Sequence, residues 1–188
     1  MGSRALQMGD NRMPEARLIV NPVAGRGYAS RVQTHVCRIM EGLGLSYSVC
    51  QTERPLQAIE LAEEASQAGC SPVVAVGGDG TVHEVLNGLV RAHVNGGPVG
   101  TMAVIPAGSG NDFEYMLQAA GSLEAACRRI AERKTRLIDV GRIDDRYFAN
   151  GVGIGFDATV NIVSRRHRTL RGLPLYLLSA LETIFIYY

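Results

Sequence analysis

Val73-Val74-Ala75-Val76-Gly77-Gly78-Asp79-Gly80-Thr81-Val82-His83-Glu84 decides how this chain is read. It opens as a short apolar run rich in β-branched residues, the mark of a buried parallel strand. Gly77, Gly78 and Gly80 then enclose Asp79. Beyond Thr81, the residues Val82, Val85, Leu86, Leu89 and Val90 recur on one helical face. A strand thus feeds a helix through a glycine-rich bend. Glycines without a Cβ let another group come close to the backbone. Free N–H groups at a helix start attract anions, phosphate above all. A carboxylate held there points to a divalent metal or to proton transfer from an attacking hydroxyl. A plain Gly-Asp-Gly hairpin turn would need a second strand after it, and the following residues are helical.

The 188 residues suffice for one full domain and part of another. A hydrophobic fraction of 46% predicts a packed core, and a net charge of +1 argues against a general nucleic-acid binder. Lys134 is the only lysine, which excludes both the lysine-bearing phosphate loop and the usual protein-kinase lysine. Cys37, Cys50, Cys70 and Cys127 stand singly and read as reduced thiols of a cytosolic protein. The first thirteen residues have no apolar core and read as a mobile lead spanning 1–14.

In chain order, Arg17 to Asn21 is a first strand, and a helix follows to about Leu43. Gly25-Arg26-Gly27-Tyr28-Ala29-Ser30 lacks the third glycine of a dinucleotide fingerprint. A phosphate-facing turn, with Asn21 as donor and Arg26 as charge, fits it better. Leu45 to Gln51 alternates as a second strand, with Thr52 just past its end. Leu56 to Ala68 is a helix. Thr101 to Ile105 is a fourth strand running into Pro106-Ala107-Gly108-Ser109-Gly110-Asn111-Asp112-Phe113-Glu114. Asn111 with Glu114 predicts a capping box, and Asp112 is a second carboxylate in a glycine-rich turn. Alternating strands and helices predict a parallel sheet with ligands beyond its carboxyl edge. Asn21, Thr52, Asp79 and Asp112 all lie just past predicted strand ends.

Leu123 to Lys134 is a further helix, and a domain boundary is expected near Thr135. Residues 15–135 make the α/β domain, and 136–188 begin a second one. Arg136 to Ile143 and Arg146 to Val152 predict a hairpin turning at Asp144-Asp145. Arg165, Arg166, His167, Arg168 and Arg171 form a basic cluster suited to solvent, to phosphates or to an anionic membrane surface. Leu173 to Tyr188 is apolar, too short to span a membrane, and reads as a core-facing helix. The chain is therefore expected to be the front part of a longer protein.

Asn21-Pro22-Val23-Ala24-Gly25, Gly77-Gly78-Asp79-Gly80-Thr81 and Pro106-Ala107-Gly108-Ser109-Gly110-Asn111-Asp112-Phe113 occur in that order. Together they resemble the catalytic domain shared by diacylglycerol kinases, bacterial lipid kinases, and sphingosine and ceramide kinases. The resemblance runs from about Leu18 to the C-terminus. It implies an α/β nucleotide domain of the NAD kinase/diacylglycerol kinase type followed by a β-sandwich domain, here incomplete. It also implies an ATP-dependent lipid kinase with magnesium that phosphorylates a lipid hydroxyl, diacylglycerol being the first candidate. Such an enzyme would be cytoplasmic and peripheral at the inner membrane face, with a lipid as partner, no nucleic acid, and a homo-oligomer left open.

Carried over by position, Asn21, Pro22, Val23, Ala24, Gly25 and Thr52 would contact ATP. Gly78, Asp79, Gly80, Thr81, Val82, His83 and Glu84 would wrap its phosphates, and Ser109 would lie near the nucleotide. Arg26 stands where some members carry lysine, and His83 where many carry asparagine. Asp79 and Asp112 would join the charged network around magnesium as the catalytic pair. Asp157 resembles an acidic position that some sphingosine kinases use toward the lipid head. The general base and the metal ligands of the bacterial type would fall beyond residue 188. An NAD kinase-like enzyme is the alternative, although Asn111-Asp112-Phe113 favours the lipid branch; a non-catalytic, truncated nucleotide-binding module is the other.

Overall fold

The computed structural model describes residues 16–117, 121–164, 166–167 and 172–187. Four strands form a parallel sheet: β1 (Ala16–Val20), β2 (Tyr47–Gln51), β3 (Val73–Gly77) and β4 (Met102–Pro106). Their spatial order is β2-β1-β3-β4. The chain leaves β1 toward one edge and returns on the other side with β3. The switch point therefore lies between β1 and β3, where Val20 is paired with Val76. Ligands of open α/β sheets collect beyond the carboxyl ends at such a point.

Helices cover both faces because the strand residues are apolar on both sides. Leu18, Val20, Val74, Val76 and Ile105 point to one layer, built from α1 (Ala24–Gly42) and α5 (Leu123–Ala131). Ile19, Val73 and Ala75 point to the other, built from α2 (Gln57–Gln67), α3 (Asp79–Val94) and Phe113 of α4 (Asp112–Met116). The period-two alternation of a strand sorts these side chains. Helices α2 and α3 pack with almost no spacer. A Cβ on Gly88 would stand 2.2 Å from the Ile59 carbonyl oxygen and 2.7 Å from the Ala62 Cβ.

Local boundaries differ from the sequence expectations where tertiary contacts intervene. The predicted strand from Arg136 shortens to β5 (Gly141–Ile143), and β6 (Arg146–Phe148) pairs with it antiparallel around Asp144-Asp145. Leu137 is 95% exposed, so the apolar residue that suggested a strand finds no layer to cover it. The expected capping box at Asn111 does not form. Asn111 sits at φ 63°, and its side-chain oxygen accepts the Gly108 N–H at 2.9 Å instead. Glu114 keeps one buried carboxylate oxygen without a hydrogen-bond partner, and burial raises its carboxyl above the ordinary range against the opposing pull of Arg129.

After the hairpin the regular elements among the described residues are two helices, α6 (Phe156–Ser164) and α7 (Gly172–Tyr187), which pack on each other. His167 Nε2 lies 3.0 Å from Glu182 Oε2. Arg165, Arg168 and Arg171 of the basic cluster, and the lead 1–14, lie outside the described residues. No described helix is long and apolar enough to cross a membrane.

Candidate active site

Three loops meet at the switch point, and each is fixed by a contact that only a small or polar residue permits. Asn21 ends β1 by donating its backbone N–H to the Val76 carbonyl at 3.0 Å. Its side-chain oxygen accepts the Val23 N–H at 3.2 Å, closing the Asn21-Pro22-Val23 turn. Its amide nitrogen donates to Thr81 Oγ1 at 3.1 Å, tying the first loop to the start of α3. Thr81 is buried and lies on Gly77, where a Cβ would stand 2.3 Å from Thr81 Oγ1. Gly25, Arg26 and Gly27 then run through the left-handed region at φ 57°, 58° and 84°, so the regular part of α1 begins after them. Arg26 holds that conformation with a side chain, which costs energy outside glycine. A Cβ on Gly25 would meet the Ala107 carbonyl oxygen at 2.3 Å.

The loops after β3 and β4 touch backbone to backbone. A Cβ on Gly108 would stand 2.4 Å from the Gly78 Cα. Asp79 secures this contact. Its Oδ2 accepts the Asn111 N–H at 2.8 Å, and its Oδ1 accepts the Phe113 N–H at 3.1 Å. One carboxylate from the start of α3 thus caps α4 from outside, satisfying N–H groups that a helix start leaves free. Asp112 is exposed and has no hydrogen bond among the described residues. A Cβ on Gly110 would lie 2.9 Å from Asp79 Oδ2 and 3.6 Å from Asp112 Oδ1, so both carboxylates flank one glycine.

Other expected site residues sort differently. Thr52 donates its N–H to the Val20 carbonyl at 2.9 Å, beside the end of β1. Ser109 is exposed on the β4 loop. Gly80 and His83 are exposed at the start of α3. The Val82 side chain is buried in the layer beneath the sheet. Glu84 turns to α2, where its Oε2 accepts the Ala58 N–H at 3.2 Å. Asp157 lies in the first turn of α6 with its carboxylate over Gly153, and α6 packs chiefly on α7.

One site-shaping residue escaped the sequence reading. Asn87, buried on α3, accepts the Tyr147 N–H at 2.8 Å and donates to the Tyr147 carbonyl at 2.8 Å. It imitates a neighbouring strand for β6. Its sequence signal was a polar residue between Leu86 and Gly88 on a helix whose neighbours are buried. The hairpin and His83 line a cavity of about 650 Å³.

Residues 15–143 match the model of the diacylglycerol kinase catalytic domain. The chain is 32% identical over 175 residues to a diacylglycerol kinase of Bacillus subtilis (strain 168), covering 92% of this chain and 56% of that protein. It is 38% identical over 117 residues to human sphingosine kinase 2, covering 61% of this chain and 18% of that protein. The chain therefore spans about half the length of the bacterial relatives it matches, or less. A crystal structure of a diacylglycerol kinase from Bacillus anthracis strain Sterne superposes with a TM-score of 0.62 at 26% identity, over 74% of this chain and 49% of that one. A second structure from that organism gives 0.67 at 26% identity, over 84% and 56%. The α/β sheet is thus of the NAD kinase-like kind that these diacylglycerol kinases share, and the chain belongs to the diacylglycerol kinase catalytic domain family.

Proposed function

We propose that this chain forms the nucleotide side of an ATP-dependent lipid kinase that phosphorylates a lipid hydroxyl, diacylglycerol being the first candidate. The observation that carries the reading is the meeting of the β1, β3 and β4 loops at the switch point, with Gly78 against Gly108 and Gly25 against Ala107. Those contacts bring the loops together, and Gly27 and Gly80, where a Cβ would meet nothing within 4 Å, leave backbone open beside the start of α3; such backbone suits a polyphosphate, which needs close N–H groups. Asn21, Thr81 and the Gly78 to Gly80 segment would orient the donor phosphates. Arg26, exposed on the first loop, would add charge.

Magnesium fits the donor set as an ion held by one or two carboxylates together with phosphate oxygens. Asp112, exposed and unbonded beside Gly110, would hold it; Asp79 has one N–H on each oxygen and serves first to position the β4 loop. When bound, the ion neutralises charge on the transferring group. In the reaction the acceptor oxygen forms a bond to the γ-phosphorus while the bond to the bridging oxygen breaks. ADP departs with that electron pair, and the acceptor proton passes to a base. The work expected of this chain is positioning and charge stabilisation. The enzyme would act as a peripheral protein at the inner membrane face.

Calorimetry of the folded chain with ATP and magnesium tests the reading. Binding that weakens in Asp112→Asn, with its magnesium dependence reduced, is expected. Absence of any nucleotide effect on the wild-type chain would overturn the assignment of the site.

A further inference from the structure

Arg17 puts a charge into a layer that is otherwise mostly apolar. It stands two residues before Ile19 on β1, so both side chains enter the layer under α2, beside Ala58, Ala62 and Ala65. On the outer strand β2, Tyr47 and Val49 face the opposite layer. Ser48 and Cys50 therefore turn to the same side as Arg17, and Ser48 is its register partner. Cys70, in the turn before β3, is buried in that layer too.

The guanidinium reaches both sulfurs. Nη1 donates to Cys50 Sγ at 3.1 Å, and Nη2 lies 3.9 Å from Cys70 Sγ. A thiol is a weak acceptor. Arg17 Nε and Ser48 Oγ are both buried and have no hydrogen-bond partner among the described residues. A guanidinium supplied with thiols alone is under-satisfied, and its N–H fork suits an anion or an oxygen acceptor. A thiolate at Cys50 answers the charge. An oxygen added to that sulfur would offer an acceptor to Arg17 and to the Ser48 hydroxyl.

Access separates the two thiols. Cys50 is half-buried on the outer strand, whereas Cys70 is 5% exposed. Strand β1 stands between β2 and β3, which are therefore about 10 Å apart. A disulfide needs Cα atoms within about 7 Å, so the intact sheet keeps these sulfurs from pairing.

We propose that Cys50 is a modification site for peroxides, its anionic sulfur stabilised by Arg17, and that oxidation there halts at the sulfenic acid. The thiolate electron pair forms a bond to one peroxide oxygen while the O–O bond breaks. The departing oxygen leaves with that pair as hydroxide and takes up the proton released by the thiol, giving water. Sulfur loses two electrons and the peroxide gains them. This site is independent of the lipid-kinase reading.

The experiment treats the whole chain with hydrogen peroxide and excess dimedone, a carbon nucleophile that traps sulfenic acids, and follows each cysteine peptide by mass spectrometry. Cys37 on α1 is half-buried like Cys50 and serves as the internal control. Cys50 should be labelled at least about fivefold faster than Cys37, Cys70 or Cys127. In Arg17→Gln the Cys50 rate should fall at least about fivefold while the Cys37 rate stays within about twofold. In Cys70→Ala the Cys50 rate should stay within about twofold of wild type. Cys50 reacting no faster than Cys37 would overturn the proposal. An unchanged or faster Cys50 rate in Arg17→Gln would do so too, because exposure alone would then set the rate. A peptide joining Cys50 to Cys70 with loss of two hydrogens would overturn the halt at the sulfenic acid. If Arg17→Gln does not fold, the wild-type chain in urea decides: Cys50 must lose its lead and react within about twofold of Cys37 once the guanidinium no longer faces it.

Discussion

The carboxylate of Asp79 accepts the backbone N–H of Asn111 at 2.8 Å, across 32 residues of sequence. That bond and its companion to the Phe113 N–H join the β3 and β4 loops through a single side chain. Asp79 is therefore part of the architecture before it is part of any chemistry. It fixes the distance between the two glycine loops, and with it the shape of whatever binds between them.

Asp79→Asn consequently has two effects. The amide keeps one acceptor oxygen but sets an NH₂ group against the other N–H. Leaving one buried donor unpaired should cost about 1–3 kcal/mol of stability. Urea denaturation should show that loss without nucleotide present. Where phosphotransfer is measurable, turnover should fall by at least about a hundredfold, the scale for losing a charge-stabilising or proton-handling group. A variant with wild-type stability would show that the Asn111 and Phe113 bonds carry no weight.

Gly108→Ala isolates loop spacing from charge. The new Cβ would lie 2.4 Å from the Gly78 Cα, which is backbone and has no rotamer by which to yield. The loops must part by several tenths of an ångström or more, at about 1–3 kcal/mol, the usual scale of overpacking. Because the carboxylate of Asp79 is retained and only the loop spacing changes, nucleotide affinity should drop more than stability does. Calorimetry with ATP beside a urea titration checks the order of the two losses.

These contacts mark the limit of what the sequence disclosed. The strands β1, β3 and β4 and the loops after them were legible, because local signals agree: apolar runs, then glycines, then helical periodicity. That Asn21, Thr52, Asp79 and Asp112 lie past strand ends at one edge of the sheet followed from topology alone. The partners of each side chain did not follow. Asn111 looked like a cap because Asn-x-x-Glu is a local pattern, yet a carboxylate from another loop took its N–H. Glu84 sits in the central motif but caps α2, and Asn87 looked like an ordinary helix residue until β6 arrived 60 residues later. Leu137 read as part of a strand because alternation does not reveal whether a neighbouring strand exists.

Helix α7 leads to a prediction about behaviour in solution. Leu177, Leu181 and Phe185 recur at four-residue spacing and are 53%, 56% and 82% exposed, with Ile184 and Ile186 beside them. An apolar stripe of that length on a helix marks an interaction surface or an aggregation liability. The isolated chain should bind a hydrophobic dye and self-associate as concentration rises. The pair Leu181→Lys and Phe185→Lys should lower both signals while leaving the ATP response in place. A monodisperse wild-type monomer with no dye binding would show that the stripe is covered.

Glu124 gives a pH dependence whose sign can be worked out. Its carboxylate accepts its own backbone N–H and the Ser122 hydroxyl, and lies 3.0 Å from His35 Nε2, which together hold its pKa at about 2 rather than 4.5. It also stands in the first turn of α5, where negative charge is favoured. A carboxyl depressed in the folded state binds its proton more readily when unfolded. Its contribution is therefore complete above pH 4.5 and is lost as the pH falls toward 2. Glu124→Gln keeps the shape and removes the charge. The melting temperatures of wild type and variant should differ between pH 5 and pH 7, and the gap should close steadily as acid is added below about pH 4.5, where the carboxylate takes up its proton. Because the pair is exposed, salt should narrow the gap as well. A gap that persists unchanged to pH 3 would mean that the folded carboxylate has no special stabilisation, and that the Ser122 cap holds α5 by itself through the Ala125 N–H at 3.2 Å.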